Sequence, residues 1–313
     1  MGSVILLSGS SNAGLASEIS TRMGVPLAAR VLERFPDGEL HVELRESVRG
    51  KRVFIVQPTS PPVELHLVEL LLLADACRRA GARERIAVVP YFGYARQDRR
   101  ANGRDAIGGR VAADLLAAAG FDRVVLLDLH TRAGEGFFST PPEHLSAIPR
   151  LAEALGKTAI EGAVLVAPDL GAVPLANRYS QRLGLPVATV FKTRLSGAEV
   201  AVQRLVGDVR GRAPLIVDDM ISTGGTVAAA VRALLAAGCR PDISVVATHG
   251  LFTDRTAETL RALPIGRIIT TDSVAPRADL GLAVEIVGVA PLLADAIARL
   301  DRDESLADLI AHA

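Results

Sequence analysis

The sequence predicts an α/β protein built from two similar domains, each a mostly parallel sheet flanked by helices. Three observations carry this. Short β-branched or apolar runs alternate with Ala/Leu-rich helical stretches along the chain, the pattern of βαβ units. The chain has 313 residues, 49% of them hydrophobic, enough for two packed cores. Pro141-Pro142 interrupts the alternation, which puts a boundary near 141–148 and gives domains 1–146 and 147–313.

From the start, Val4-Ile5-Leu6-Leu7 reads as a first strand. A strand over 53–57 and a helix over 62–80 follow. Strands are then expected over 85–90 and 123–128, separated by a helix over 110–119. In the second half, strands over 163–167, 187–191, 214–218, 242–248 and 268–271 alternate with helices over 170–183 and 225–237. A helix over 290–300 lies within an amphipathic final stretch that reads as a packing or interface segment. In a parallel α/β sheet, functional residues are expected in loops at strand C-termini.

Composition narrows the function. The 35 basic and 35 acidic residues cancel, so no bulk field favours nucleic acid or membrane. The first residues lack a charged start and a long apolar core, so no signal peptide is read there. The longest apolar run, near 67–76, contains Glu69 and Asp75, which argues against a transmembrane helix. Cys77 and Cys239 lie far apart and outside any metal-type spacing, as expected of thiols in a reducing compartment. A cytoplasmic location is expected.

The run Leu215-Ile216-Val217-Asp218-Asp219-Met220-Ile221-Ser222-Thr223-Gly224-Gly225-Thr226 is the most informative. An apolar strand is expected to end in two carboxylates, with a Ser/Thr/Gly loop and a helix start at Val227 after it. Backbone N–H groups, glycines and the helix dipole together suit an anion. Two carboxylates would repel a bare phosphate but suit the hydroxyls of a sugar phosphate. The plainer reading is an ordinary β–α turn.

Other segments are weaker alone. Asp128-Leu129-His130 closes a strand, and His130 could ligate a divalent ion or donate to phosphate. Gly134, Gly136, Phe137 and Phe138 follow as an expected flexible, aromatic loop. Pro168-Asp169-Leu170-Gly171 is a second strand–acid–glycine junction, where Asp169 could orient hydrated Mg²⁺ or simply cap a helix. The stretch 91–100 sets aromatics beside Arg96, Gln97, Arg99 and Arg100, a phosphate- and base-binding composition or a solvated charge run. Arg34-Phe35-Pro36-Asp37-Gly38-Glu39 reads as a turn with an exposed ring and two acids that could meet a purine. Lys192 and Arg194 alternate after a strand, so extended backbone points them the same way. A loop with two cations can close over phosphate charge.

Taken together, these motifs and Ala247-Thr248-His249 resemble, in order and spacing, the ribose-phosphate diphosphokinases, also called phosphoribosyl diphosphate synthetases. The likeness covers nearly the whole chain and implies a phosphoribosyltransferase-like fold. It implies that ribose 5-phosphate and ATP give phosphoribosyl diphosphate and AMP, which agrees with the lack of a G-x-x-x-x-G-K-[ST] loop. By the resemblance, Phe35, Asp37, Glu39, Arg96 and Gln97 bind ATP. His130 and Asp169 bind Mg²⁺ and the phosphates. Lys192 and Arg194 stabilise the transferring group. Asp218 and Asp219 hold the ribose hydroxyls, and Ser222, Thr223, Gly224, Gly225 and Thr226 the 5-phosphate. The resemblance further implies an ATP-contributing domain 1–146, a ribose-5-phosphate-binding domain 147–313 and a homo-oligomer built from dimers. Several residues depart from the common pattern: Glu135 replaces Gln, Thr193 stands where Arg is frequent and Phe191 where an acid is, and Ala172 replaces a second Gly. The proposed catalytic groups remain. A single-domain phosphoribosyltransferase would share the Asp-Asp loop but not need the long N-terminal half.

Overall fold

The computed structural model describes residues 4–156, 161–193 and 202–310, with residues 192, 193, 202 and 203 described by backbone alone. The chain divides into two compact units. Unit 1 comprises residues 1–146, 273–275 and 288–313, and unit 2 comprises 147–272 and 276–287.

Unit 1 begins with β1 (Val4–Ser8), α1 (Ala13–Met23), β2 (Arg30–Arg34), β3 (Leu40–Leu44) and β4 (Arg52–Val56). It continues through α2 (Val63–Arg79), β5 (Glu84–Val89), α3 (Gly108–Ala118), β6 (Arg123–Leu127) and β7 (Pro142–Leu145). Its main sheet has the order β1-β4-β5-β6-β7 with every neighbour parallel. Buried runs such as Val53-Phe54-Ile55-Val56 need both faces covered, which helices do in a parallel sheet. The β2–β3 hairpin stands apart as a two-stranded ribbon. Its strands, Arg-Val-Leu-Glu-Arg and Leu-His-Val-Glu-Leu, have no fully buried residue. Their charged, half-exposed character hid them from a reading by apolar runs.

Unit 2 runs α4 (Ile148–Leu155), β8 (Ala163–Ala167), α5 (Val173–Leu183), β9 (Val187–Thr193), β10 (Val202–Val206) and β11 (Ala213–Ile221). It then runs α6 (Gly225–Ala236), β12 (Ile243–Gly250), α7 (Arg255–Leu260), β13 (Ile265–Thr271) and β14 (Glu285–Val287). The sheet order is β10-β9-β8-β11-β12-β13-β14, parallel except for the β9–β10 pair. From β8 the chain builds outward through β9 and β10, then returns to the other side of β8 as β11. The strand order therefore reverses between β8 and β11, a topological switch point where open α/β sheets bind ligands.

The last helix, α8 (Ala290–Asp301), was expected with residues 147–313 but groups with unit 1. It packs on α1. Arg52 adds a tether: its guanidinium donates to the α8 carbonyls of Leu300 (2.5 Å) and Asp301 (2.9 Å) and pairs with Glu84 (2.5 Å). The last carbonyls of a helix lack regular i+4 donors, and Leu300 also accepts the Asp303 N–H (3.2 Å) that follows the helix. Arg267 plays the same part in unit 2, donating to Leu155 (3.1 Å) and Ala154 (3.3 Å) at the end of α4 while pairing with Glu285 (2.7 Å). Arg52→Met is expected to lower unfolding stability by about 2 kcal/mol, because it removes the bonds to Leu300 and Asp301 and leaves Glu84 with only Arg123 at 3.8 Å. Denaturant titration with an unchanged slope is the check.

Two adjacent threonines give an opposed pair of expectations. Thr270 is fully buried and its hydroxyl has no hydrogen-bond partner. Thr271 is as buried, and its hydroxyl donates to the Thr248 carbonyl (2.7 Å). Thr270→Val is expected to be neutral or stabilising, and Thr271→Val to cost about 1 kcal/mol, both read from thermal midpoints. Cys77 is also buried, and burial pushes its thiol up to about 12, so it is not a nucleophile at neutral pH.

Candidate functional site

The expected strand end at Asp218 is corrected: β11 runs on through both acids to Ile221. Its ladder with β12 does not stop, since Asp218 faces Ala247, Met220 faces His249 and Ile221 faces Gly250. Asp218 and Asp219 are thus carried on strand backbone, and the loop proper shrinks to Ser222-Thr223-Gly224. Strand backbone fixes carboxylates more tightly than a loop does.

α6 opens at Gly224, which has φ +78° and leaves no room for a side chain: a Cβ there would lie 2.9 Å from Leu260. The cap residue Gly224 offers no side-chain acceptor, and the Thr223 hydroxyl accepts the Gly225 N–H at a long 3.4 Å. The N–H groups of its first turn have no carbonyl one turn behind them, and the helix dipole adds partial positive charge. Thr223 and Gly225 are exposed, Ser222 and Thr226 half-buried. All five loop residues read from the sequence lie at this helix entrance.

Unit 1 provides a contrast. The loop from β1 to α1 is also Ser/Gly-rich, but the protein fills it. The buried Glu69 carboxylate accepts the Ser10 N–H (2.5 Å) and hydroxyl (2.6 Å), and Gln57 accepts the Ser11 N–H (3.1 Å). Asn12 caps α1 by accepting the Leu15 N–H (3.2 Å). Of these two strand–loop–helix junctions, the one after β11 is the candidate anion site.

Asp169 follows β8, next to β11 across the switch point. Its Oδ1 accepts the Ala172 N–H (3.1 Å) ahead of α5, so the capping reading holds for that oxygen. Burial, then the nearby charges of Asp219 and Asp169, push the Asp218 carboxyl well above the usual range. Among the described residues, no group of three or more His, Cys, Asp or Glu is arranged to hold a metal.

Lys192 lies on β9, in register with Gln203 of β10. β9 is parallel to β8, so Lys192 is at the same C-terminal edge of the sheet as Asp169. Its side chain and Arg194 lie outside the described residues.

In unit 1 the candidates fall in separate loops. Phe35, Asp37 and Glu39 occupy the β2–β3 turn, closed by Phe35 N–H to Glu39 (2.9 Å) and Gly38 N–H to Phe35 (2.8 Å). The Phe35 ring is 47% exposed and faces His41 at 5.5 Å between centroids, an aromatic surface open to a flat base. After β5 the aromatics and cations part company. Tyr91 and Phe92 are buried, whereas Arg96, Gln97, Arg99 and Arg100 are exposed. Tyr94 donates to Glu64 (2.9 Å).

His130 is exposed just after β6. The glycine-rich segment behind it is a 3-10 helix over Arg132–Phe137, not an open loop, because Phe137 and Phe138 pack inward against the unit 1 core. The departure Glu135 gains an explanation. His144 Nδ1 lies 2.5 Å from Glu135, and His144 Nε2 accepts the Leu129 N–H (2.8 Å). Accepting at Nε2 places the proton on Nδ1, which donates to Glu135. The two side chains thereby fix the backbone one residue before His130. No spacing rule links positions 129, 135 and 144, and the sequence alone did not flag His144.

Carboxylates on a strand at a switch point, beside a glycine-led helix entrance, define an α/β protein with a candidate ligand site in its second unit. Comparison with known proteins narrows the class. A family model for the N-terminal domain of ribose phosphate pyrophosphokinase matches residues 4–120, and a phosphoribosyl transferase domain model matches residues 140–262. The ribose-phosphate pyrophosphokinase of Parasynechococcus marenigrum is 40% identical over 97% of this chain and 92% of its own length. That of Caldanaerobacter subterraneus is 40% identical over 98% of each. The crystal structure of phosphoribosylpyrophosphate synthetase from Mycobacterium smegmatis superposes with a TM-score of 0.91 at 35% identity, covering 96% of this chain and 99% of that one. The chain belongs to the ribose-phosphate pyrophosphokinase family.

Proposed function

We propose that this chain transfers the diphosphoryl group of ATP to the anomeric hydroxyl of ribose 5-phosphate, giving phosphoribosyl diphosphate and AMP for nucleotide and amino-acid biosynthesis. The observation that carries the reading is the glycine-led α6 entrance directly after the Asp218-Asp219 strand. Ser222 to Thr226 take the 5-phosphate, and Asp218 and Asp219 take the ribose hydroxyls, which holds the sugar at both ends. Phe35, Asp37 and Glu39 take the adenine of ATP, with Arg96 and Gln97 on the nucleotide. The anomeric oxygen attacks the β-phosphorus, and the bond from that phosphorus to the α–β bridging oxygen breaks. AMP leaves with the bridging oxygen, and the hydroxyl proton is released.

His130 and Asp169 are the residues proposed for Mg²⁺ and the phosphates. When bound, the ion neutralises triphosphate charge and draws electron density from the β-phosphorus. Lys192 and Arg194 stabilise charge on the transferring group and exclude water that would hydrolyse ATP. The reading also carries a cytoplasmic homo-oligomer built from dimers, with neither nucleic acid nor membrane as a partner. Among the described residues, no helix is long and apolar enough to cross a membrane.

The test is product analysis by phosphorus NMR after incubation with ribose 5-phosphate and Mg-ATP. AMP and phosphoribosyl diphosphate are expected in equal amounts. Absence of both with Mg²⁺ and with Mn²⁺ overturns the reading.

A further inference from the structure

We infer that Thr256 is a positioning residue for the 5-phosphate loop, acting through the carbonyl of Ser222. Thr256 lies in α7 and is fully buried. A hydroxyl in the first turn of a helix ordinarily serves its own turn. This one donates instead to the Ser222 carbonyl, 34 residues earlier. The same carbonyl accepts the Thr253 N–H (3.2 Å), and the Thr256 N–H donates to the Thr253 carbonyl (2.9 Å), which closes the bracket around it. The preceding carbonyl, of Ile221, accepts from Leu251 (2.9 Å) and Phe252 (3.1 Å).

Peptide planarity turns these bonds into an orientation. In a trans peptide the C=O and the following N–H point in opposite directions. Holding the Ile221 and Ser222 carbonyls against the 251–256 segment aims the Ser222 and Thr223 N–H groups the other way. Those are the groups that lead into the α6 entrance, where Gly224 continues the turn over Leu260. Thr256 therefore sets which face of the loop presents donors.

The segment that carries Thr256 is itself braced. Phe252 has φ +39° and folds its ring back over Gly250, where a Cβ would lie 2.5 Å from the ring. Arg277 holds the Phe252 carbonyl (3.0 Å) and Asp254 (2.8 Å). A fixed segment can impose a fixed orientation on the loop it holds.

The inference rests on the reading of Ser222 to Thr226 as the 5-phosphate loop, and the experiment separates the two. Thr256→Val keeps the shape and deletes the hydroxyl. Losing one buried hydrogen bond that orients the loop is expected to raise KM for ribose 5-phosphate about tenfold. KM for ATP and kcat are expected to stay within about twofold, because the bond does not touch the diphosphoryl group. Thr256→Ser restores KM. Thr259→Val is the control, since Thr259 is half-buried and its hydroxyl serves its own helix at the Arg255 carbonyl (2.8 Å); it leaves both KM values unchanged. Calorimetric binding of ribose 5-phosphate is measured on every variant. If the wild-type chain binds ribose 5-phosphate but makes no product, the proposed reaction falls, and the inference stands on a tenfold weaker affinity of Thr256→Val. If the wild type does not bind ribose 5-phosphate, both fall. An unchanged KM and affinity in Thr256→Val overturns the inference, as does an equal rise in both KM values or failure of Thr256→Ser to restore binding.

Discussion

Lys192→Ala is expected to lower kcat about a hundredfold or more, close to 3 kcal/mol of transition-state stabilisation, while ribose 5-phosphate affinity stays nearly unchanged. The reason is placement and charge. β9 carries Lys192 to the C-terminal edge of the unit 2 sheet, beside the strand that leads to Asp169. In the proposed site the sugar is held at both ends by other groups, Asp218 and Asp219 at its hydroxyls and the α6 entrance at its phosphate. A cation at this edge is left to meet negative charge that develops as the diphosphoryl group moves. An interaction made only in the transition state lowers kcat and kcat/KM together. Steady-state kinetics with varied ribose 5-phosphate, alongside calorimetry, separates the roles. A parallel loss of affinity would show that Lys192 grips the ground state instead.

Asp218→Asn is expected to separate stability from activity. The Asp218 carboxyl is pushed well up by burial, by Asp219 and by Asp169. An acid whose folded pKa exceeds its unfolded one holds its proton more tightly in the native state. Its contribution to stability is then favourable at low pH and is lost as pH rises from the ordinary carboxylate value to the raised one. Above that window the wild-type fold carries a buried charge against two neighbours, which asparagine does not. The variant is therefore expected to melt higher than wild type at about pH 8, with the difference closing towards about pH 4. Turnover is expected to fall about a hundredfold, since charge-assisted hydrogen bonds to the sugar are lost. A site that sacrifices stability for function shows this opposition. Thermal melts across pH, paired with turnover, give the answer. A variant less stable than wild type at both ends would contradict the assigned repulsion.

Much of the fold was legible because its determinants are local. Val53-Phe54-Ile55-Val56 and Ala163-Val164-Leu165-Val166-Ala167 are apolar on both faces, and that marks central parallel strands wherever they occur. The Ser222–Thr226 run announced a helix entrance because glycine and hydroxyl residues meet backbone needs within one turn. Several of the missed elements failed the same local test. β2 and β3 are half-exposed and charged, β14 has three residues, and α7 has six. The aromatic stretch 91–100 was read as one surface, but packing sent Tyr91 and Phe92 into the core and left the arginines outside.

The sequence by itself determined the alternation of strands and helices, the acid pair, the loop chemistry and, through order and spacing, the family. These depend on residues within a few positions of one another, whose backbone preferences act directly. Only the tertiary structure decided that the strand order reverses between β8 and β11 and that Asp169 raises Asp218. It also decided that α8 belongs with the first unit, that Glu69 fills one Ser/Gly loop while the other opens on Gly224, and that Thr256 reaches Ser222. Those are partnerships between groups tens of residues apart. They exist only once chain entropy has been overcome by burial, so no local pattern encodes them.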